Sequence, residues 1–104
     1  CSLELPQIPE HCEHNAHMFY VKLKDLSERT EFIAHLKEQG IMAVFHYVPL
    51  HSSPAGLTFG DFHSKDVYTT SESERLVRLP LFFGMNNDEV EKVICGVNSF
   101  FNRT

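Results

Sequence analysis

His46, Tyr47 and His51 are the residues of this 104-residue chain whose types and spacing can do chemistry. They lie in HYVPLH, at the far end of the run IMAVFHYVPLH from Ile41 to His51. An imidazole changes charge near neutral pH. A histidine at a strand end can therefore serve as general acid or base, or donate to a phosphate or carbonyl oxygen. The plainer reading is a partly buried histidine satisfied by its neighbours, and the residues alone leave both readings open. The Tyr47 hydroxyl can anchor a ligand, or its ring can pack at the sheet edge. Pro49 removes a donor and stiffens the exit, so side chains here are placed to line a cleft.

The other reactive types are less well placed. Cys95 falls near the apolar stripe of the last predicted helix and reads as a small core residue. The sequence has no Gly-rich phosphate loop, paired cysteine ligands or Ser-centred elbow. Lys22, Lys24, Lys37, Lys65 and Lys92 all occupy polar or edge positions, and none reads as desolvated enough for imine chemistry. His11, Cys12, His14 and His17 cluster, but their spacing matches no set of four converging zinc ligands, so no metal site is expected. On residues alone the chain supplies one wall of a site without a full catalytic set.

Positioning that wall requires a small core. The length suits one domain, and an apolar fraction of 42% with nine Phe can fill it. A net charge of −5 without a Lys/Arg cluster speaks against binding nucleic acid through a basic face. No apolar run reaches membrane-spanning length and no signal-peptide pattern opens the chain, which predicts a soluble, cytoplasmic protein without a membrane partner. Cys1, Cys12 and Cys95 are odd in number and irregular in spacing, as free thiols in a reducing compartment would be.

Alternation predicts a strand over 16–23, with Phe19, Val21 and Leu23 on one face. Ser27 is the expected N-cap of a helix over 28–39, and Gly40 its stop. A strand from Ile41 follows as the centre of the domain. Residues 52–68 read as a long, compact loop whose aromatics Phe59, Phe62 and Tyr68 pack on something or cover a site. Thr69 and Glu72 carry a capping-box pattern before a short helix to Arg75, 76–83 reads as a third strand, and Asn86 with Glu89 caps a last helix over 88–101. The predicted fold class is α+β: a small three-stranded, mostly antiparallel sheet with helices on one face. Its third strand runs antiparallel to the other two and lies between or beside them. Residues 1–15 read as a lead-in or linker, and 16–104 as a single domain. The start at Cys1, without Met, leads us to expect a piece of a longer protein.

Four stretches carry a resemblance: HNAHMFYVKL, the helix leading into GIMAVFHYVPLH, the loop from SPAG to FGDF, and ESERLVRLPLFFGMNNDEVEKVI. From His14 to Phe101 the chain resembles the C-terminal domain of the DegT/DnrJ/StrS family of sugar aminotransferases. The resemblance implies a pyridoxal-phosphate enzyme of the aspartate-aminotransferase fold type. It would move an amino group from glutamate to the keto carbon of a dTDP-linked 4-keto-6-deoxyhexose, for cell-surface polysaccharide. The imine-forming lysine and most phosphate contacts would belong to a large N-terminal domain outside this sequence. This domain would then be inactive and hold no cofactor by itself, and the full-length enzyme would be a homodimer with sites at the subunit interface. By position, His46 matches the family's active-site-facing histidine. Tyr47, Pro49 and His51 complete the motif, so His46, Tyr47 and His51 are the expected substrate-binding residues. LVRLPLF would support the same wall, with no role assigned to Arg78. A different class of expectation is a stand-alone binding module that uses the open sheet face.

Overall fold

Alternation drives the first strand of the computed structural model, which describes residues 3–103. In β1 (Phe19–Lys22), Val21 is buried, as is Leu23 just beyond the strand, while Tyr20 and Lys22 point to the opposite face. The strand is shorter than the predicted 16–23. Ala16 takes a φ of 51°, a left-handed conformation that interrupts extended backbone before Phe19.

Helix α1 (Leu26–Glu38) is capped by Asp25, whose carboxylate accepts from the Glu28 amide at 2.9 Å. The expected cap, Ser27, lies inside the first turn instead. Asp25 takes the role because its backbone is extended, which aims its side chain at the free amides. Gly40 ends the helix at φ 71°, where a side chain would be strained.

The stretch from Ile41 then departs most from expectation. Ile41 and Ala43 are buried, but only β2 (Val44–Phe45) forms a ladder, and it lies at the sheet edge. Tyr47 at φ 65° turns the chain out of the extended form soon afterwards. The middle strand is β3 (Leu76–Leu79), half the predicted span, antiparallel to both neighbours in the order β1-β3-β2. The third strand therefore lies between the other two, one of the two placements the sequence leaves open.

Residues 52–68 are not all loop. A 3-10 turn (Leu50–Ser52) leads into α2 (Pro54–Phe59), whose cap Ser53 accepts from the Gly56 amide at 3.0 Å. A serine cap followed by proline in the first turn is what starts this helix. Helix α3 (Thr69–Arg75) lacks the expected box: its N-cap is Tyr68, which makes no side-chain cap bond. Glu72 is engaged elsewhere, by Lys22 at 2.9 Å and Arg75 at 3.1 Å. In α4 (Asn87–Phe101), by contrast, the box between Asn86 and Glu89 forms in both directions at 2.9 Å.

The core comprises Val21, Leu23, Phe32, Leu36, Ile41, Ala43 and Val77, with Phe100 and Phe101 packed against it. Phe32 meets the Phe100 ring edge-on at 5.2 Å. Each fully buried side chain of this set contributes about 1.5–3 kcal/mol. Gly96 sets how closely α4 approaches α1 and the segment after it, because a Cβ there would stand 3.0 Å from the Leu36 side chain and 2.5 Å from that of Ile41. Cys95, one position earlier, is exposed rather than part of the core, since the inward stripe of α4 runs through Val93, Gly96, Val97 and Phe100. Cys12 is also exposed and free, and Cys1 lies outside the described residues.

Glu4 joins this frame from the first segment. Its backbone pairs with Lys22 in both directions at 3.0 Å, adding a bridge to β1. Its carboxylate meets Lys22 at 2.9 Å and also Arg75, which with Glu72 closes a four-membered ring of alternating charge. Hydrogen bonds from Lys22 hold the Glu4 and Glu72 carboxyls below their ordinary values. The same contacts raise Lys22, and that from Glu4 raises Arg75. Among the described residues, no helix is long and apolar enough to cross a membrane.

Candidate functional site

Where β3 ends, β2 begins and α4 starts, the surface opens into a cavity of about 730 Å³. Its polar lining comes from different elements: His17 from just before β1, His46 and Tyr47 after β2, Arg78 from β3, and Glu89 and Lys92 from α4. Val44 lies directly across from Arg78, so the two share a sheet face, while the neighbouring Val77 is buried against the helices. Period-two alternation therefore sends the one charged side chain of LVRL away from the core.

His46 and Tyr47 are held against each other, ring centroids 4.6 Å apart. Tyr47 is mostly exposed and keeps its left-handed backbone without the excuse of being glycine, a form of strain that clusters at functional sites. The Arg78 guanidinium lies 5.8 Å from the Tyr47 ring centroid, within cation–π range. Two nitrogens here are buried with no partner, His46 Nδ1 and Arg78 Nε. Buried polar nitrogens are normally paired, so these two, on residues that line one cavity, mark unmet hydrogen-bonding capacity there.

His51 is placed elsewhere. It lines a second cavity of about 510 Å³ with Leu50, Phe59 and Phe62. Its Nε2 is 3.1 Å from the Asp66 carboxylate, and the Phe62 ring packs 4.3 Å from its own. Thr70 donates from its hydroxyl to the same carboxylate. That donation, then the Thr70 amide and the His51 charge, holds the Asp66 carboxyl below its ordinary value. The structure thus brings His46 and Tyr47 together and sets His51 as a clasp between the 3-10 turn, the following loop and α3.

Arg78 is the site residue that sequence reading left without a role. Its signal was present: a lone cation in an otherwise apolar strand run. Among the described residues, no three or more His, Cys, Asp or Glu side chains gather to hold a metal ion.

The chain matches the DegT/DnrJ/EryC1/StrS aminotransferase family over residues 2–98. It belongs to that family. It is 34% identical over 101 residues to an uncharacterised protein of Methanocaldococcus jannaschii, covering 88% of this chain and 25% of that protein. It is 31% identical to a dTDP-3-amino-3,6-dideoxy-alpha-D-galactopyranose transaminase of Aneurinibacillus thermoaerophilus, covering 94% of this chain and 26% of the enzyme. Among solved structures it superimposes on the aminotransferase TlmJ from Streptoalloteichus hindustanus with a TM-score of 0.78 and 25% identity, over 95% of this chain and 26% of that one. The chain thus spans about a quarter of the length of these relatives.

Family members in general depend on pyridoxal phosphate. The described residues do not fit that group by themselves. Imine chemistry needs a desolvated amine, whereas Lys22 is tied between two carboxylates and Lys24, Lys37, Lys65 and Lys92 are exposed. What this family domain does supply is a rigid, cationic corner able to orient a ligand.

Proposed function

We propose that the full-length protein is a pyridoxal-phosphate-dependent transaminase. It transfers an amino group from glutamate to a dTDP-4-keto-6-deoxyhexose for cell-surface polysaccharide and is of the dTDP-4-amino-4,6-dideoxygalactose type. The residues described are its C-terminal small domain, with the imine-forming lysine supplied by a large N-terminal domain. The enzyme works in the cytoplasm as a homodimer. The observation that carries this reading is the cavity holding His46, Tyr47 and Arg78 in a chain of the sugar-aminotransferase family. The similarity to the Aneurinibacillus dTDP-amino-sugar transaminase supports a dTDP-hexose substrate. Met42, Leu57, Phe59 and Phe83 are exposed large apolar side chains, the kind a neighbouring domain covers.

In this reading His46 and Tyr47 grip the sugar-nucleotide side of the pocket and fix its approach, while the bound cofactor supplies the electron sink. The test is to incubate the full-length protein with glutamate and either dTDP-4-keto-6-deoxyglucose or dTDP-3-keto-6-deoxygalactose. Formation of 2-oxoglutarate is followed, and the amino sugar is identified by NMR. The expected result is product from the 4-keto sugar. Product from the 3-keto sugar alone moves the amination site, and no product from either ends the transaminase reading.

A further inference from the structure

The charge lining the first cavity is unbalanced. Arg78 and Lys92 face it with one carboxylate, Glu89, and that carboxylate is already bound to the Asn86 amide as part of a helix cap. Arg78 forms no ion pair or side-chain hydrogen bond with any described residue. Each of the other arginines has a polar partner: Arg29 donates from Nη1 to the Ser73 carbonyl, although its Nε is likewise buried without one, Arg75 pairs with Glu4 and Glu72, and Arg103 meets His35. A guanidinium has five donors in a planar fork and keeps its charge at any working pH. Leaving its Nε–H buried and unmet is costly unless a ligand supplies the acceptor.

We infer that Arg78 is an anion-holding and specificity-determining residue of this pocket, taking a ligand oxyanion in its fork while the Tyr47 ring braces its plane. The inference deepens the transaminase reading and rests on it for the ligand's identity. The oxyanion is a carboxylate of the amino donor or a phosphate of the sugar nucleotide. Both present paired oxygens that match the fork. His46 Nδ1 is the second buried, unpartnered nitrogen at this cavity and stands ready for a neighbouring oxygen of the same ligand.

The experiment compares the full-length protein with its Arg78→Gln and Arg78→Lys variants by two independent readouts. The first is calorimetric titration with two probes, glutarate and inorganic phosphate. Wild type is expected to bind one of them, Arg78→Gln to lose roughly tenfold to a hundredfold in affinity, and Arg78→Lys to recover phosphate better than carboxylate. The second is steady-state transamination. Here Arg78→Gln raises KM at least about tenfold for one substrate only, with a much smaller change in kcat. A rise for glutamate identifies the carboxylate, and a rise for the keto-sugar nucleotide identifies the phosphate. Unchanged probe affinity and unchanged KM values overturn the inference even in an active transaminase. Arg78-dependent probe binding in a protein that transaminates nothing keeps it and ends the transaminase reading alone. Should Arg78→Gln fail to fold, the wild-type Arg78 Nε–H NMR signal decides. Movement on probe titration supports the inference, and a stationary signal overturns it.

Discussion

Arg75, the last residue of α3, and Arg78, in β3, are three residues apart, yet they have opposite surroundings. Arg75 donates to the Leu23 carbonyl at 2.8 Å and to Glu72 at 3.1 Å, and it pairs with Glu4. Each of its three nitrogens has an acceptor, and those contacts tie the first segment and the end of β1 to the junction of α3 and β3. Arg78 faces an open cavity, with an aromatic ring beside it and a buried donor unanswered. Charge by itself therefore says little about role. What separates the structural cation from the site cation is whether the fold has supplied the acceptors.

The strongest way to test this contrast lies beside Arg78. In the full-length protein, His46→Ala is expected to lower keto-sugar turnover on the order of a hundredfold, with little change in the denaturation midpoint. Unchanged turnover would remove His46 from the site. Arg75→Ala is expected to do the reverse. It strips the Leu23 carbonyl of its side-chain donor, leaves the two carboxylates to Lys22 alone and should cost about 1–2 kcal/mol, read as a lower urea midpoint, with KM values unmoved. A midpoint equal to wild type would show that the ring of charges merely decorates the surface.

The ring also sets a pH dependence whose sign can be worked out. Glu4 and Glu72 have folded values below their ordinary 4.5, so the stability they add is present above that value and is lost as pH falls through the lower folded one. Lys22 is raised above its ordinary 10.5. Its contribution is present below that value and is lost as pH rises through the higher folded one. Thermal unfolding should therefore be flat near neutrality and fall at both extremes. Glu72→Gln should flatten part of the acid limb, and an acid limb of unchanged slope would show that Glu72 gains nothing from Lys22.

Much of this architecture was legible because short-range physics decided it. The inward faces of β1 and α1, the stop at Gly40 and the box at Asn86–Glu89 all follow from period or local capping, and no distant residue overrides them. The misreadings occurred where tertiary partners won. Glu72 carries the sequence of a cap but is drawn off by Lys22, 50 residues away in the chain. The run from Ile41 reads as the centre of a sheet but yields a two-residue edge, because Tyr47 turns left-handed where alternation would continue. His46 and Tyr47 were legible as polar groups ending an apolar run. Arg78 was not, since only the register Val44↔Arg78 reveals which face and which cavity it shares with them.

The smallest expected effect concerns the second histidine, and it sharpens the contrast from the other side. His51 shares the HYVPLH motif with His46, but its ring nitrogen is answered by Asp66, whereas His46 Nδ1 is not. Thr70→Val deletes the hydroxyl that does most to depress Asp66, so the Asp66 carboxyl should titrate closer to its ordinary range. The stability Asp66 supplies is present above the unfolded carboxylate value and is lost as pH falls through its folded one, so in the variant that loss should be smaller and complete at higher pH. At neutral pH the Asp66–His51 contact remains, and the global midpoint should move little. Proteolytic nicking between α2 and α3 should quicken modestly as the clasp loosens. An NMR titration of Asp66 checks this directly. If the carboxyl stays as depressed as in wild type, His51 holds it without help from Thr70, and the clasp is an ion pair rather than a three-residue network.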